Sequence, residues 1–172
     1  MFNEQHKKEM PLLGMLGLGG GIAFAGSSPP ADPVTYSDYV TSTNGLKSAY
    51  PATNMFDGST STYAQNELSQ DNSITVDFSA AGAPINYSSS VRIYTYAANG
   101  YAITNTYYLN GSSSGTTFTG GSSGFNGAAW TTVASGSGTI TSIRLRLQRG
   151  GGQQSSATWY AVEVDGTILV DG

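Results

Sequence analysis

Residues Gly111-Ser112-Ser113-Ser114-Gly115 match the G-x-S-x-G pattern that places a serine nucleophile on a sharp strand-to-helix turn. That chemistry needs a base to take the serine proton. The single histidine of the chain, His6, lies in an N-terminal stretch apart from the rest. Cysteine is absent, which excludes a thiolate nucleophile, a thiolate zinc site and a disulfide framework. In a chain with 23 Ser and 23 Gly the serine pattern arises by chance. Glycoside hydrolysis would need two carboxylates about 5–9 Å apart. Beyond residue 33 the acids are Asp38, Asp57, Glu67, Asp71, Asp77, Glu163, Asp165 and Asp171. Asp77 alternates outward on a strand and Asp165 belongs to a turn, so no spacing singles out an acid–base pair. The expectation is a protein without catalytic residues.

The 11 tyrosines are a second source of chemistry. Period-2 alternation puts Tyr94 and Tyr96 on the face of Arg92, opposite Val91, Ile93 and Thr95, while Tyr63, Tyr101, Tyr107 and Tyr108 fall near turns. Such rings can stack on sugars or join protein interfaces. Tyrosine also simply suits a half-buried strand, and that is the expectation for most of them. Asn86-Tyr87-Ser88 and Asn110-Gly111-Ser112 fit the glycosylation sequon, as a Ser/Thr-rich chain will by chance.

The elements that must position these residues are strands. Charged residues are 10% of the chain, against roughly a quarter in ordinary soluble domains. The formal net charge of −4 argues against a nucleic-acid partner, which calls for a basic patch. Short β-rich runs cover residues 34–40, 73–78, 91–96, 104–109, 129–134, 139–147, 157–164 and 167–170. Ile74, Val76 and Phe78 fall on one face, as do Ile143, Leu145 and Leu147, with Arg144 and Arg146 expected outside. Asp165-Gly166 between two runs predicts a hairpin, because a type I′ turn needs positive φ at both residues. Residues 111–124 read as a long surface loop or irregular hairpin. No segment shows a capped helical period. The fold class expected is all-β, a jelly-roll-like two-sheet β-sandwich over residues 34–172.

Residues 1–33 are a separate object, an extended apolar Gly-rich N-terminal arm with a Pro-rich linker, Pro29-Pro30-Ala31-Asp32-Pro33. Three readings compete. A basic start, an apolar middle and Ala23-Phe24-Ala25 fit a cleaved signal peptide, although Glu4 and Glu9 dilute the basic region. A membrane span is disfavoured, because the apolar stretch is shorter than about 20 residues and rich in glycine. The reading preferred is an assembly anchor in which Leu12, Leu13, Met15, Leu16, Leu18, Ile22 and Phe24 lie against other protein chains.

Three segments in order resemble the discoidin, or coagulation-factor type C, superfamily of galactose-binding-like jelly rolls. Residues 52–63, Ala-Thr-Asn-Met-Phe-Asp-Gly-Ser-Thr-Ser-Thr-Tyr, are similar to its "A-x-x-A-F-D-G-D-x-x-T-x-W" stretch. Ile74-Thr75-Val76-Asp77-Phe78 is similar to its "I-x-V-D-L" strand, and Tyr160-Ala161-Val162-Glu163-Val164-Asp165-Gly166 to its closing "E-I-E-V-x-G". Ala64 stands where the family has a tryptophan, and Ser59 where it often has an acid. For its carbohydrate-binding members the resemblance implies a structural calcium, with Asp57, Thr62 and Glu163 as matched ligands; oxygen donors of this kind suit calcium. The alternative is that Asp57 caps its own turn and Glu163 accepts hydrogen bonds without metal.

A second resemblance concerns source. Residues 159–172 and the leader Pro11-Leu12-Leu13-Gly14-Met15-Leu16-Gly17 are similar to segments of tailed-phage virion proteins. Together the two resemblances imply a non-enzymatic virion protein, a head decoration or tail appendage. Its partners would be other virion proteins, further copies of itself and cell-surface glycans. The alternative is a secreted bacterial carbohydrate-binding module with a cleaved signal peptide.

Overall fold

The computed structural model describes residues 34–96, 103–118, 127–152 and 154–172. The arm, its seven anchor residues and Tyr101 lie outside the described residues. Twelve strands are present: β1 (Val40–Ser42), β2 (Ala64–Gln65), β3 (Asp71–Asp77), β4 (Ile85–Tyr87), β5 (Ser90–Tyr96), β6 (Ile103–Leu109), β7 (Thr116–Phe118), β8 (Ala128–Ser135), β9 (Gly138–Ile140), β10 (Ser142–Arg149), β11 (Thr158–Val164) and β12 (Thr167–Ile168). One sheet runs β1-β3-β10-β6-β7. The second runs β12-β11-β5-β8, with β2 also paired to β11. A short β4-β9 pair stands beside them, and every pairing is antiparallel. Hydrogen-bonded neighbours such as β3 and β10 are far apart in sequence, as a jelly-roll-like two-sheet sandwich requires.

Alternation explains the core. In β3, Ile74 and Val76 point inward, with Phe78 just beyond its end; in β10, Ile143, Leu145 and Leu147 do the same, and in β5, Val91 and Ile93. All are buried as expected. Arg144 and Arg146 of β10 are half-buried, where exposure was expected. The guanidinium of Arg144 lies 3.9 Å over the Tyr108 ring. Arg146 pairs with Asp71 through Nε to Oδ1 at 2.8 Å and a second, shorter bond from Nη2. A long side chain on an outer face buries its stem on neighbouring strands, which alternation alone does not show.

Three local expectations are corrected. Residues 34–40 are not one strand: Tyr36–Tyr39 form a 3-10 turn, and Tyr36 packs on Phe56 and Phe78. The run 139–147 breaks at Thr141 into β9 and β10. Regular alternation over 157–164 predicts Tyr160, Val162 and Val164 on one face and Trp159, Ala161 and Glu163 on the other; in β11 it fails. The register shifts between Trp159 and Ala161, so Trp159 faces Thr95 and Ala161 faces Tyr94. This bulge sets two residues of one strand against one of the other. Trp159 enters the core, fully buried, with its Nε1–H donated to the Ala161 carbonyl at 3.0 Å. Tyr160 is turned to the outer face and leaves Val162 behind.

The hairpin expected at Asp165-Gly166 is present, with φ of 49° and 87°, and joins β11 to β12. Asn110-Gly111 makes the same kind of turn after β6, with φ of 54° and 70° and Ser112 N donating to Leu109 O at 2.9 Å. The serine pattern noted above is therefore the exit of a hairpin. Asp165 has a further role. Its carboxylate accepts hydrogen bonds from the backbone N–H groups of Ser88, Ser89 and Ser90 at 2.8–2.9 Å and from the Ser88 hydroxyl at 2.9 Å. These donors, the Ser88 and Ser90 N–H groups first, pull its pKa down to about 2. A depressed carboxylate pKa contributes stability above its unfolded value and loses it as pH falls through the folded one. Asp165→Asn keeps a turn-forming residue but removes the charge. The variant is expected to melt below the wild type at neutral pH, with the gap closing as the pH approaches 2. Thermal denaturation of both proteins across that range checks this.

Candidate functional site

The outer face of the second sheet carries an unbroken band of rings, each from a different segment. Tyr94 on β5 lies opposite Trp130 on β8, with ring centroids 5.0 Å apart. On the other side Tyr94 meets Tyr160 of the β11 bulge at 5.3 Å. Tyr160 meets Tyr63 at 5.0 Å, and Tyr63 stacks on Tyr50 at 4.7 Å with an interplanar angle of 18°. For Tyr160, Tyr94 and Trp130 the spacing follows from the sheet, because adjacent strands lie about 4.8 Å apart and these rings occupy the successive strands β11, β5 and β8. Tyr50 and Tyr63 are held beyond the edge by the backbone: Gln65 N donates to Tyr50 O at 3.2 Å, and Asn54 Nδ2 to Tyr63 O at 3.0 Å. All five rings are half-buried, so each keeps surface towards solvent.

Arg92 and Glu163 close one end of the band. They face each other across β5 and β11. Arg92 Nε and Nη2 each donate to a different Glu163 oxygen at 2.6 Å, a bidentate pair. The guanidinium also stands 4.9 Å from the Trp130 ring centroid. The carboxylate raises the pKa of Arg92. The pair cancels its own charge, so the band is neutral at pH 7. The Tyr63 phenol is pushed up by its hydrogen bond with Tyr50, and that of Tyr160 by burial and then by Tyr94 and Tyr96. Neither phenol is an acid–base group at neutral pH.

The residues matched to calcium each have partners within the protein. Asp57 and Thr62 come together: the Thr62 hydroxyl donates to Asp57 Oδ2, and Ser59 N to Asp57 Oδ1 at 2.9 Å. Glu163, in contrast, spends both oxygens on Arg92. A calcium ion takes 6–8 oxygens, with carboxylates prominent. Here Asp57 is an exposed turn carboxylate and both oxygens of Glu163 face a cation, the arrangement of the metal-free alternative. Among the described residues no group of three or more His, Cys, Asp or Glu side chains converges.

Alternation located Tyr94, Tyr96 and Arg92 on a common outer face. It missed Trp130, Tyr50 and Tyr160. The pairing of β5 with β8 is what carries Trp130 to Tyr94, and the bulge is what turns Tyr160 outward. Trp130 is the one tryptophan outside the core, a signal present in the residues 129–134 run but without meaning until its partner strand is known.

No family model and no curated protein matches the chain. Solved structures do. Chitosan-binding module 1 of a chitosanase/glucanase from Paenibacillus sp. IK-5 is 18% identical, with a TM-score of 0.48, over 78% of this chain and 98% of that one. The family 32 carbohydrate-binding module of C. perfringens NanJ, in complex with galactose, is 15% identical, with a TM-score of 0.41, over 76% of this chain and 98% of that one. A Ruminococcus gnavus GH29 fucosidase in complex with fucose is 14% identical, with a TM-score of 0.42; the chain aligns over 77% of its own length and 25% of the fucosidase. Among the described residues no helix is long and apolar enough to cross a membrane.

Proposed function

We propose that the β-sandwich is a non-catalytic glycan-binding module and that a neutral polysaccharide lies across Tyr50, Tyr63, Tyr160, Tyr94 and Trp130. The observation that carries this is the band itself: five half-buried rings in unbroken contact on a face pointing away from the hydrophobic core. A sugar ring presents C–H groups that stack on an aromatic face, and its hydroxyls suit the phenols and the Arg92–Glu163 edge. The self-compensated charge favours an uncharged chain. Hydrolysis needs two carboxylates, and the band's described residues supply only Glu163, already bound to Arg92.

The chain has two tryptophans, and one is sealed in the core. A fluorescence change on adding a neutral glycan such as soluble galactan or xyloglucan would therefore report Trp130. Trp130→Ala is expected to raise Kd about tenfold to a hundredfold, the loss of one buried aromatic contact. Titration calorimetry of the wild type, Trp130→Ala and Tyr94→Ala checks it. Equal affinity in all three would remove the band from the site.

The finer reading, a tailed-phage virion protein anchored by Leu12 to Phe24, draws its support from the sequence resemblances alone, and the secreted module shares the same β domain. The N-terminal mass of the native protein separates them: cleavage after Ala25 means a secreted module, and an intact start within purified particles means a virion protein.

A further inference from the structure

The opposite face of the sandwich, the outer side of the first sheet, holds an arginine that forms no ion pair among the described residues. Arg144 projects there from between Thr75 of β3 and Tyr108 of β6. Its Nε is buried without a hydrogen-bond partner, and among the described residues no carboxylate contacts its guanidinium. Asp71, the acid close by, is committed to Arg146, whose hydrogen bond lowers the Asp71 pKa. Arg144 acts on Asp71 only through space, and Asp77, on the same face of β3, gives its carboxylate to the Ser79 hydroxyl and the Ala80 N–H, so Arg144 is left without an ion pair.

Arg144 is held in place. Its guanidinium lies 3.9 Å over the Tyr108 ring. Gly115 also packs closely on that ring: an added Cβ there would come within 2.5 Å of Tyr108 Cε1. Arg144 lines two grooves. One, of about 350 Å³, is lined by Thr43, Asp71, Ser73, Arg144 and Arg146. The other, of about 190 Å³, is lined by Thr75, Tyr108, Ser112, Ser142 and Arg144 with Gly111. Apart from the Tyr108 ring and Gly111, the side chains around the cation are hydroxyls and charges.

We infer that Arg144 and these two grooves form a second binding site that takes a carboxylate carried on a sugar ring, a uronate residue of an acidic polysaccharide. The planar guanidinium fork matches a carboxylate, as Arg146 with Asp71 shows one strand position away. Thr43, Ser73, Thr75, Ser112 and Ser142 line the two grooves with hydroxyl groups of the kind that meet a sugar's own. The ring under Arg144 keeps the fork oriented before binding, which reduces the entropy lost on association. This site shares no residue with the aromatic band and does not rest on the glycan reading of that face.

The test uses the full chain and trigalacturonate as the probe, with neutral galactotriose and sodium sulfate as comparisons. Calorimetry is expected to show trigalacturonate binding that weakens as salt rises. Arg144→Gln should raise its Kd roughly tenfold or more, the loss of one charge-assisted contact, and Arg144→Lys should recover only part of that. Trp130→Ala should leave trigalacturonate binding unchanged while weakening the neutral polysaccharide. NMR of the wild type gives a reading that needs no variant: the Arg144 Nε–H resonance is expected to shift with trigalacturonate and stay put with galactotriose. Sulfate competing as well as the uronate at equal concentration would make this a general oxyanion site and overturn the assignment. Absence of uronate binding, or an Arg144 resonance indifferent to it, would overturn the site itself.

Discussion

Trp159→Ala is expected to destabilise the domain by about 3–5 kcal/mol, while Tyr160→Ala, one residue along, costs far less stability and instead weakens glycan binding. The contrast follows from the bulge. Trp159 is fully buried among the core residues, and its removal leaves a large cavity and an Ala161 carbonyl without its indole donor. Tyr160 is half-buried on the outer face against Tyr63 and Tyr94. Urea unfolding followed by circular dichroism measures the first effect, and calorimetry with a neutral glycan the second. Equal destabilisation by the two variants would mean that β11 alternates regularly and that Trp159 does not fill the core.

Asn72→Leu is expected to be nearly as damaging, although it exchanges a polar residue for an apolar one of similar size inside a core. Asn72 is fully buried on the inner face of β3, in line with Ile74 and Val76. Its Oδ1 accepts from the Nδ2 of buried Asn66 at 3.0 Å, and its own Nδ2 donates to the carbonyls of Ser69 at 2.9 Å and Ser155 at 2.6 Å. Asn66 Oδ1 in turn accepts from Ala157 N at 2.8 Å. These bonds tie the β2–β3 connection to the segment that leads into β11. Each buried partner left unpaired costs about 1–3 kcal/mol, so the leucine loses more than its hydrophobicity returns. Thermal denaturation of Asn72→Leu, Asn66→Leu and the double variant gives the coupling. The double variant should fall well short of the sum of the singles, because they break one network. Strict additivity would mean that the two amides act independently.

What the chain reveals by itself is whatever depends on neighbours two to four residues away. The inward faces of β3, β5 and β10 are legible because successive side chains in a strand point to opposite sides. Asp165-Gly166 is legible as a turn because few residues tolerate positive φ. The absence of cysteine chemistry is a matter of composition. Tertiary structure decided the rest, because each case turns on which strand lies alongside. Glu163 meets Arg92, 71 positions away, only once β11 lies against β5. The likeness that matched Glu163 to Asp57 contains no information about that guanidinium. The β11 bulge is a property of the pair, and one extra residue moved Trp159 inward and Tyr160 outward. The aromatic band needs the registers of β5 with both β8 and β11. Those pairings are long-range, set by how two sheets close over a shared core, and no local period in the sequence encodes them.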